Sequence, residues 1–137
     1  MYWPEKYQLG FVREYLQEKN IGHVTEPLLF SIPIDVLGVR DDDVFAVELK
    51  TKDFKRGIKQ ADRNRSFVDY SYLSVWEERV TNDLLTRLED TPIGLLAVGD
   101  SVKCLSTARR NNPSAHAKVR AMERVIDDVR EHSTIQS

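Results

Sequence analysis

Asp35, Glu48 and Lys50 are the side chains whose types and spacing could do chemistry together. They lie within IPIDVLGVRDDDVFAVELK, residues 32–50, where two strand-forming runs, Ile34 to Val39 and Val44 to Lys50, flank the polar turn Arg40-Asp41-Asp42-Asp43. A hairpin with Asp41 and Asp42 as its turn residues sets Asp35 directly across from Glu48. Side chains alternate along a strand, so Asp35, Glu48 and Lys50 share one face. The other face carries Val36 opposite Val47 and Ile34 opposite Leu49. Facing carboxylates repel. A positive partner is therefore expected between them, and a divalent metal ion with Lys50 beside it is the economical one.

The elements that must hold this hairpin follow from periodicity. Residues 4–19 form a helix starting at Pro4, with Phe11, Val12, Tyr15 and Leu16 in one apolar stripe and Gly22 just past its end. His23 to Phe30 fits a first strand, which Pro27 confines to a sheet edge. Asp53 to Val68 is helical, capped by Asp53, with Phe54, Ile58, Ala61 and Val68 on one face and Lys55, Arg56, Lys59 and Arg63 away from it. Tyr70 to Trp76 alternates as a strand, its rings more in keeping with a core than with a stacking platform. A short helix from Thr81 to Leu88, strands from Ile93 to Val98 and Val102 to Ser106, and a last helix after Asn112-Pro113 complete the chain. The stripe of that helix is Val119, Met122, Ile126 and Val129, and the tail beyond His132 is expected to fray.

This pattern resembles the PD-(D/E)XK nuclease superfamily, whose motif runs Pro-x-Asp on one strand and Glu-x-Lys on the next. Here it is Pro33-Ile34-Asp35, then Glu48-Leu49-Lys50. The basic helix with its glutamine, Lys55-Arg56-Gly57-Ile58-Lys59-Gln60-Ala61, the strand after it and Gly94-Leu95-Leu96-Ala97-Val98 extend the resemblance over about residues 5 to 110. It implies an α/β fold with a restriction-endonuclease-like αβββαβ core, a mixed central sheet flanked by helices, plus additional C-terminal strands and a helix. It implies Mg²⁺ or Mn²⁺ held by Asp35, Glu48 and the Leu49 carbonyl, with Lys50 orienting or deprotonating the attacking water. Gln60 matches a glutamine that supports the site in related enzymes. Many members add a carboxylate from the first helix; here Glu14 points away from the core, leaving Glu5 or Gln8 to reach the site through water.

From Lys50 to Arg65 the chain carries Lys50, Lys52, Lys55, Arg56, Lys59, Arg63 and Arg65 against Asp53 and Asp62. Such a run beside a metal site suits a phosphate backbone, which nominates Lys52, Lys55, Arg56, Lys59 and Arg63 as nucleic-acid contacts. The net charge of -2 gives no global basic signal. With 137 residues, 41% of them hydrophobic, one domain over the whole chain is expected. Lone Cys104 excludes an internal disulfide and any multi-cysteine cluster. No apolar run reaches membrane-spanning length and Met1-Tyr2-Trp3-Pro4 does not begin a signal peptide, so a cytoplasmic location without a membrane partner is the expectation. The expected activity is metal-dependent hydrolysis of phosphodiesters, as a DNA endonuclease, with a homodimer letting two sites address two strands. The rival is a nucleic-acid-binding or assembly module on the same fold that does not cleave.

Overall fold

The computed structural model describes residues 5–136, with side chains described as far as residue 128. The expected helix start at Pro4, the Val129 end of the last apolar stripe and the His132 side chain lie outside the described residues. Helix α1 (Glu5–Glu18) is followed by β1 (Gly22–Thr25), a two-stranded ribbon of β2 (Leu28–Leu29) and β3 (Ile32–Pro33), and the hairpin of β4 (Val36–Arg40) and β5 (Asp43–Leu49). Then come α2 (Phe54–Asn64), β6 (Tyr70–Trp76), α3 (Asn82–Glu89), β7 (Gly94–Val98), β8 (Val102–Ser106) and α4 (Ala115–Gln136). Six strands form one mixed sheet in the order β1-β4-β5-β6-β7-β8. β1, β4 and β5 pair antiparallel, β5, β6 and β7 parallel, and β8 antiparallel on β7. Each parallel join is made through a helix, α2 or α3, because parallel neighbours cannot be linked by a tight turn.

The alternation along β5 decides which layer receives which residue. Val47 and Leu49 join Val36, Trp76, Leu96 and Val98 on the face covered by Val12 and Leu16 of α1. Val44 and Ala46 point the other way, with Leu37, to meet Ala121 and Val125 of α4. Farther along that second face, Leu73, Val75 and Leu95 pack on Ala61, Leu84 and Leu88 of α2 and α3. Central strands buried on both faces are what a sheet sandwiched between helix layers demands. Glu48 therefore lies in the α2/α4 layer.

Four expectations are corrected. The first strand stops at Thr25, and the Pro27 region forms a separate ribbon; at Pro27 only the carbonyl is engaged, by the Ile34 N–H at 3.1 Å. Ile34 precedes β4 and packs with Leu37, Val44 and Ala46, not with Val36 and Val47, because the chain bends at Asp35 before strand alternation begins. Helix α2 ends at Asn64, which leaves Val68 off the helix in the α4-side core. On α4 the buried stripe is Ala117, Ala121 and Val125, while Val119 and Ile126 are 51% and 43% exposed. α4 lies against β1 and β4, and small side chains let a helix approach a sheet closely.

Candidate active site

The β4–β5 register pairs Val36 with Val47 and Arg40 with Asp43, leaving Asp41 and Asp42 as the turn. Asp41 takes φ 55°, a left-handed conformation that aspartate tolerates better than most residues. Carried one step beyond β4, this register brings the Asp35 carboxylate beside that of Glu48. Asp35 Oδ2 also accepts from the Leu49 N–H at 2.8 Å, so the carboxylate takes over where the ladder stops. Its carbonyl accepts from Glu26 N–H at 2.9 Å, which fixes the bend.

Glu48 is 1% exposed. Its Oε1 accepts from Asn64 Nδ2 at 2.8 Å and lies 3.5 Å from Arg63 Nη2. Burial, and next the hydrogen bond and negative charge of Asp35, push its pKa up to about 8, against the opposing pull of Asn64 and Arg63. A solvated ion-pair patch on an open sheet face does not describe a side chain this deeply enclosed. The positive neighbour of Glu48 in the protein itself is Arg63, whose Nη2 also donates to the Pro33 carbonyl at 2.9 Å.

Lys50 is held at both backbone atoms. Its N–H donates to the Ser74 carbonyl at 2.9 Å, and its carbonyl accepts from Gln8 Nε2 at 2.8 Å. Gln8, fully buried on α1, accepts in turn from Ser74 Oγ at 2.9 Å. The lysine side chain runs over α2 where Gly57 leaves room: a Cβ there would stand 2.6 Å from Lys50 Cγ. One turn along, the Gln60 amide oxygen is buried without a hydrogen-bond partner. Gly57, Gln60 and Asn64 thus form one stripe of α2 facing the ends of β5 and β6.

Among the other residues singled out by sequence, Glu5 is exposed but lines, with Glu26, Asp35 and Leu49, a cavity of about 160 Å³. Lys52, Lys55, Arg56 and Lys59 are exposed, on and just before α2. Arg63 departs from that row, because its guanidinium turns inward to Glu48 and Pro33. Arg110 pairs with Asp43 at 2.8 Å and Asp69 at 3.3 Å. Asn64, Ser74 and Gly57 escaped the sequence reading. An asparagine at a helix end reads as a cap, yet Asn64 falls seven residues after Gly57 and so shares its face.

Among the described residues no three His, Cys, Asp or Glu side chains gather into a metal-holding group. The donors that fit a hard cation are the two carboxylates and the Leu49 carbonyl, which points to the same strand edge as the Leu49 N–H bonded to Asp35. The unpartnered Gln60 oxygen adds a further polar atom on the neighbouring helix.

No family model matches the chain, and no curated protein matches it in sequence. Among solved structures it is similar to the SPO1766 protein of unknown function from Silicibacter pomeroyi, with 15% identity, a TM-score of 0.77, and coverage of 95% of this chain and 88% of that one. At that identity the likeness shows a shared mixed α/β fold with helices flanking the sheet.

Proposed function

We propose that this chain is a divalent-metal-dependent nuclease of the PD-(D/E)XK type, cutting DNA as an endonuclease on a restriction-endonuclease-like core. One observation carries the reading: the carboxylates of half-buried Asp35 and buried Glu48 adjoin at the strand ends, with the Lys50 backbone fixed at both its N–H and its carbonyl just beyond. The order helix, antiparallel strands, helix, parallel strand supports it. A Mg²⁺ or Mn²⁺ ion held by Asp35, Glu48 and the Leu49 carbonyl would supply an activated water and stabilise charge on the phosphate. The protein's own groups do the rest. Lys50 offers its ammonium to the charge growing at the phosphate and handles the proton of the attacking water. Gln8 and Ser74 hold its backbone still. Lys52, Lys55, Arg56 and Lys59 present exposed cations to the phosphate backbone. A plasmid incubated with Mg²⁺ or Mn²⁺ should be nicked or linearised, and EDTA should abolish the reaction. If no linear, circular, branched or single-stranded DNA is cut with either metal, the proposal fails.

The non-cleaving module remains the second reading, and Asn64 and Arg63 are what favour it. They give buried Glu48 hydrogen-bond and charge partners without a metal. DNA binding that survives in Mg²⁺ without any cleavage would select it.

A further inference from the structure

The sheet face under α1 is only half covered by that helix. Its covered half holds Val36, Leu49, Trp76 and Val98. The other half is floored by rings: Phe45 on β5 and Tyr70 on β6 stack on one another, with centroids 5.3 Å apart and planes 23° from parallel. Tyr72 lies against Gly94, where any Cβ would overlap one edge of its ring, so the ring packs closely on β7. All three are partly exposed, as is Tyr15 at the end of α1. Cations lie over these rings: Arg40 is 5.7 Å from the Phe45 centroid, Arg110 is 5.0 Å from Tyr70, and Lys19 is 5.5 Å from Tyr15. Between the end of α1 and the sheet a cavity of about 110 Å³ opens, walled by Tyr15, Phe45, Tyr72 and Leu96, with Lys19 and Arg40 as its charged groups. This volume is of the order that takes one six-membered ring.

We propose that this face binds a single-stranded nucleic acid, seating one pyrimidine base in the cavity and its phosphates on Lys19 and Arg40. Partly exposed aromatic rings on a sheet stack unpaired bases and cannot engage the faces of bases inside a duplex. Guanidinium planes already over the rings stack on bases as readily as on phenyl groups. Asp43 is occupied by Arg110, whereas Asp41 and Asp42 at the hairpin tip, and Glu14 and Glu18 around Tyr15, oppose the phosphates. The site lies on the sheet face opposite Glu48 and needs no metal. The inference therefore stands apart from the proposed cleavage and is tested without it.

Fluorescence anisotropy with a labelled 12-residue oligo(dT), in EDTA and at several salt concentrations, measures the binding. The oligomer should bind more tightly than its duplex with oligo(dA) and far more tightly than thymidine monophosphate. Lys19→Glu with Arg40→Glu, both exposed, should weaken it about tenfold or more and flatten the salt dependence. Tyr72→Leu should weaken it with the salt slope kept, and Asp41→Asn with Asp42→Asn should strengthen it. Circular dichroism checks that each variant is folded; should Tyr72→Leu fail, the surface pair carries the test. Absence of oligo(dT) binding, affinity untouched by the surface pair, or equally tight binding of the mononucleotide would each overturn the proposal. Loss of binding only on reversing Lys55 and Lys59 would overturn it too, assigning the single strand to α2. Cleavage assays on the same variants report separately on the carboxylate site.

Discussion

At the scale of single residues, Asp35, Glu48 and Lys50 sit within one local arrangement but under different constraints, and this separates what each substitution should do. Asp35→Asn removes an anionic oxygen and also alters the cap on the Leu49 N–H. It should weaken divalent-ion binding and cleavage together, since hard cations prefer anionic oxygen ligands. Lys50→Met takes away a positive charge and no metal ligand, while the backbone bonds to Gln8 and Ser74 remain. Calorimetric titration with Mg²⁺ should show binding retained or tightened, and single-turnover cleavage should fall by about 10²-fold or more. Parent-like cleavage by the Lys50 variant would remove that lysine from the mechanism. The pairing of Asp35 with Glu48 was legible in the sequence because a two-residue turn fixes hairpin register. The clamp of Asn64 and Arg63 on Glu48 was not. It depends on how α2 docks, and nothing in the local pattern of an asparagine or an arginine specifies a partner sixteen or fifteen residues back.

At the scale of elements, α2 does two jobs on two faces. Gly57, Gln60 and Asn64 face the site, and Lys55, Arg56 and Lys59 face outward. Gly57→Ala should raise intrinsic helix stability by about 0.8–1 kcal/mol. The added methyl, however, would meet Lys50 Cγ at 2.6 Å and Leu73 Cδ1 at 2.9 Å, so the lysine must move. The expected outcome is a melting temperature near that of the parent with cleavage clearly reduced; unchanged cleavage would mean that the lysine path over Gly57 is irrelevant. Replacing Lys55, Arg56 or Lys59 singly should weaken DNA binding across sequences and reduce its salt slope by about one unit each, read by anisotropy at several salt concentrations. The starts of α2 and α3 followed from the sequence, Asp53 capping α2 as its side chain suggests, whereas the end of α2 and the break after Thr25 did not. The α4 stripe did not. Hydropathy favours Val119 and Ile126, but a close helix–sheet contact selects alanines, and that distance is a tertiary property.

At the scale of the whole molecule, the buried carboxylate ties stability to pH. Glu48 titrates near 8 in the folded protein against an ordinary value of 4.5. The folded state therefore holds a proton that the unfolded chain releases between those values. A raised folded pKa gives stability that is complete below the unfolded value and is lost as pH rises through the folded one. Metal-free protein should thus become less stable from about pH 4.5 to about pH 8, by at most about 1.4 kcal/mol per pH unit from this group. His23 works in the opposite sense: burial lowers its pKa, so the folded state favours its neutral form and gains stability as pH rises through the unfolded value of 6.5. Comparing parent with Glu48→Gln cancels the His23 contribution, because both chains carry it. The glutamine keeps the shape and can accept from Asn64 without a titrating proton. Urea denaturation in EDTA at pH 5, 6.5 and 8 should show the parent losing stability relative to Glu48→Gln at each step upward. Parallel curves would mean that Asn64 and Arg63 already hold Glu48 ionised throughout, and the site would then be an ion-paired cluster in no need of a metal.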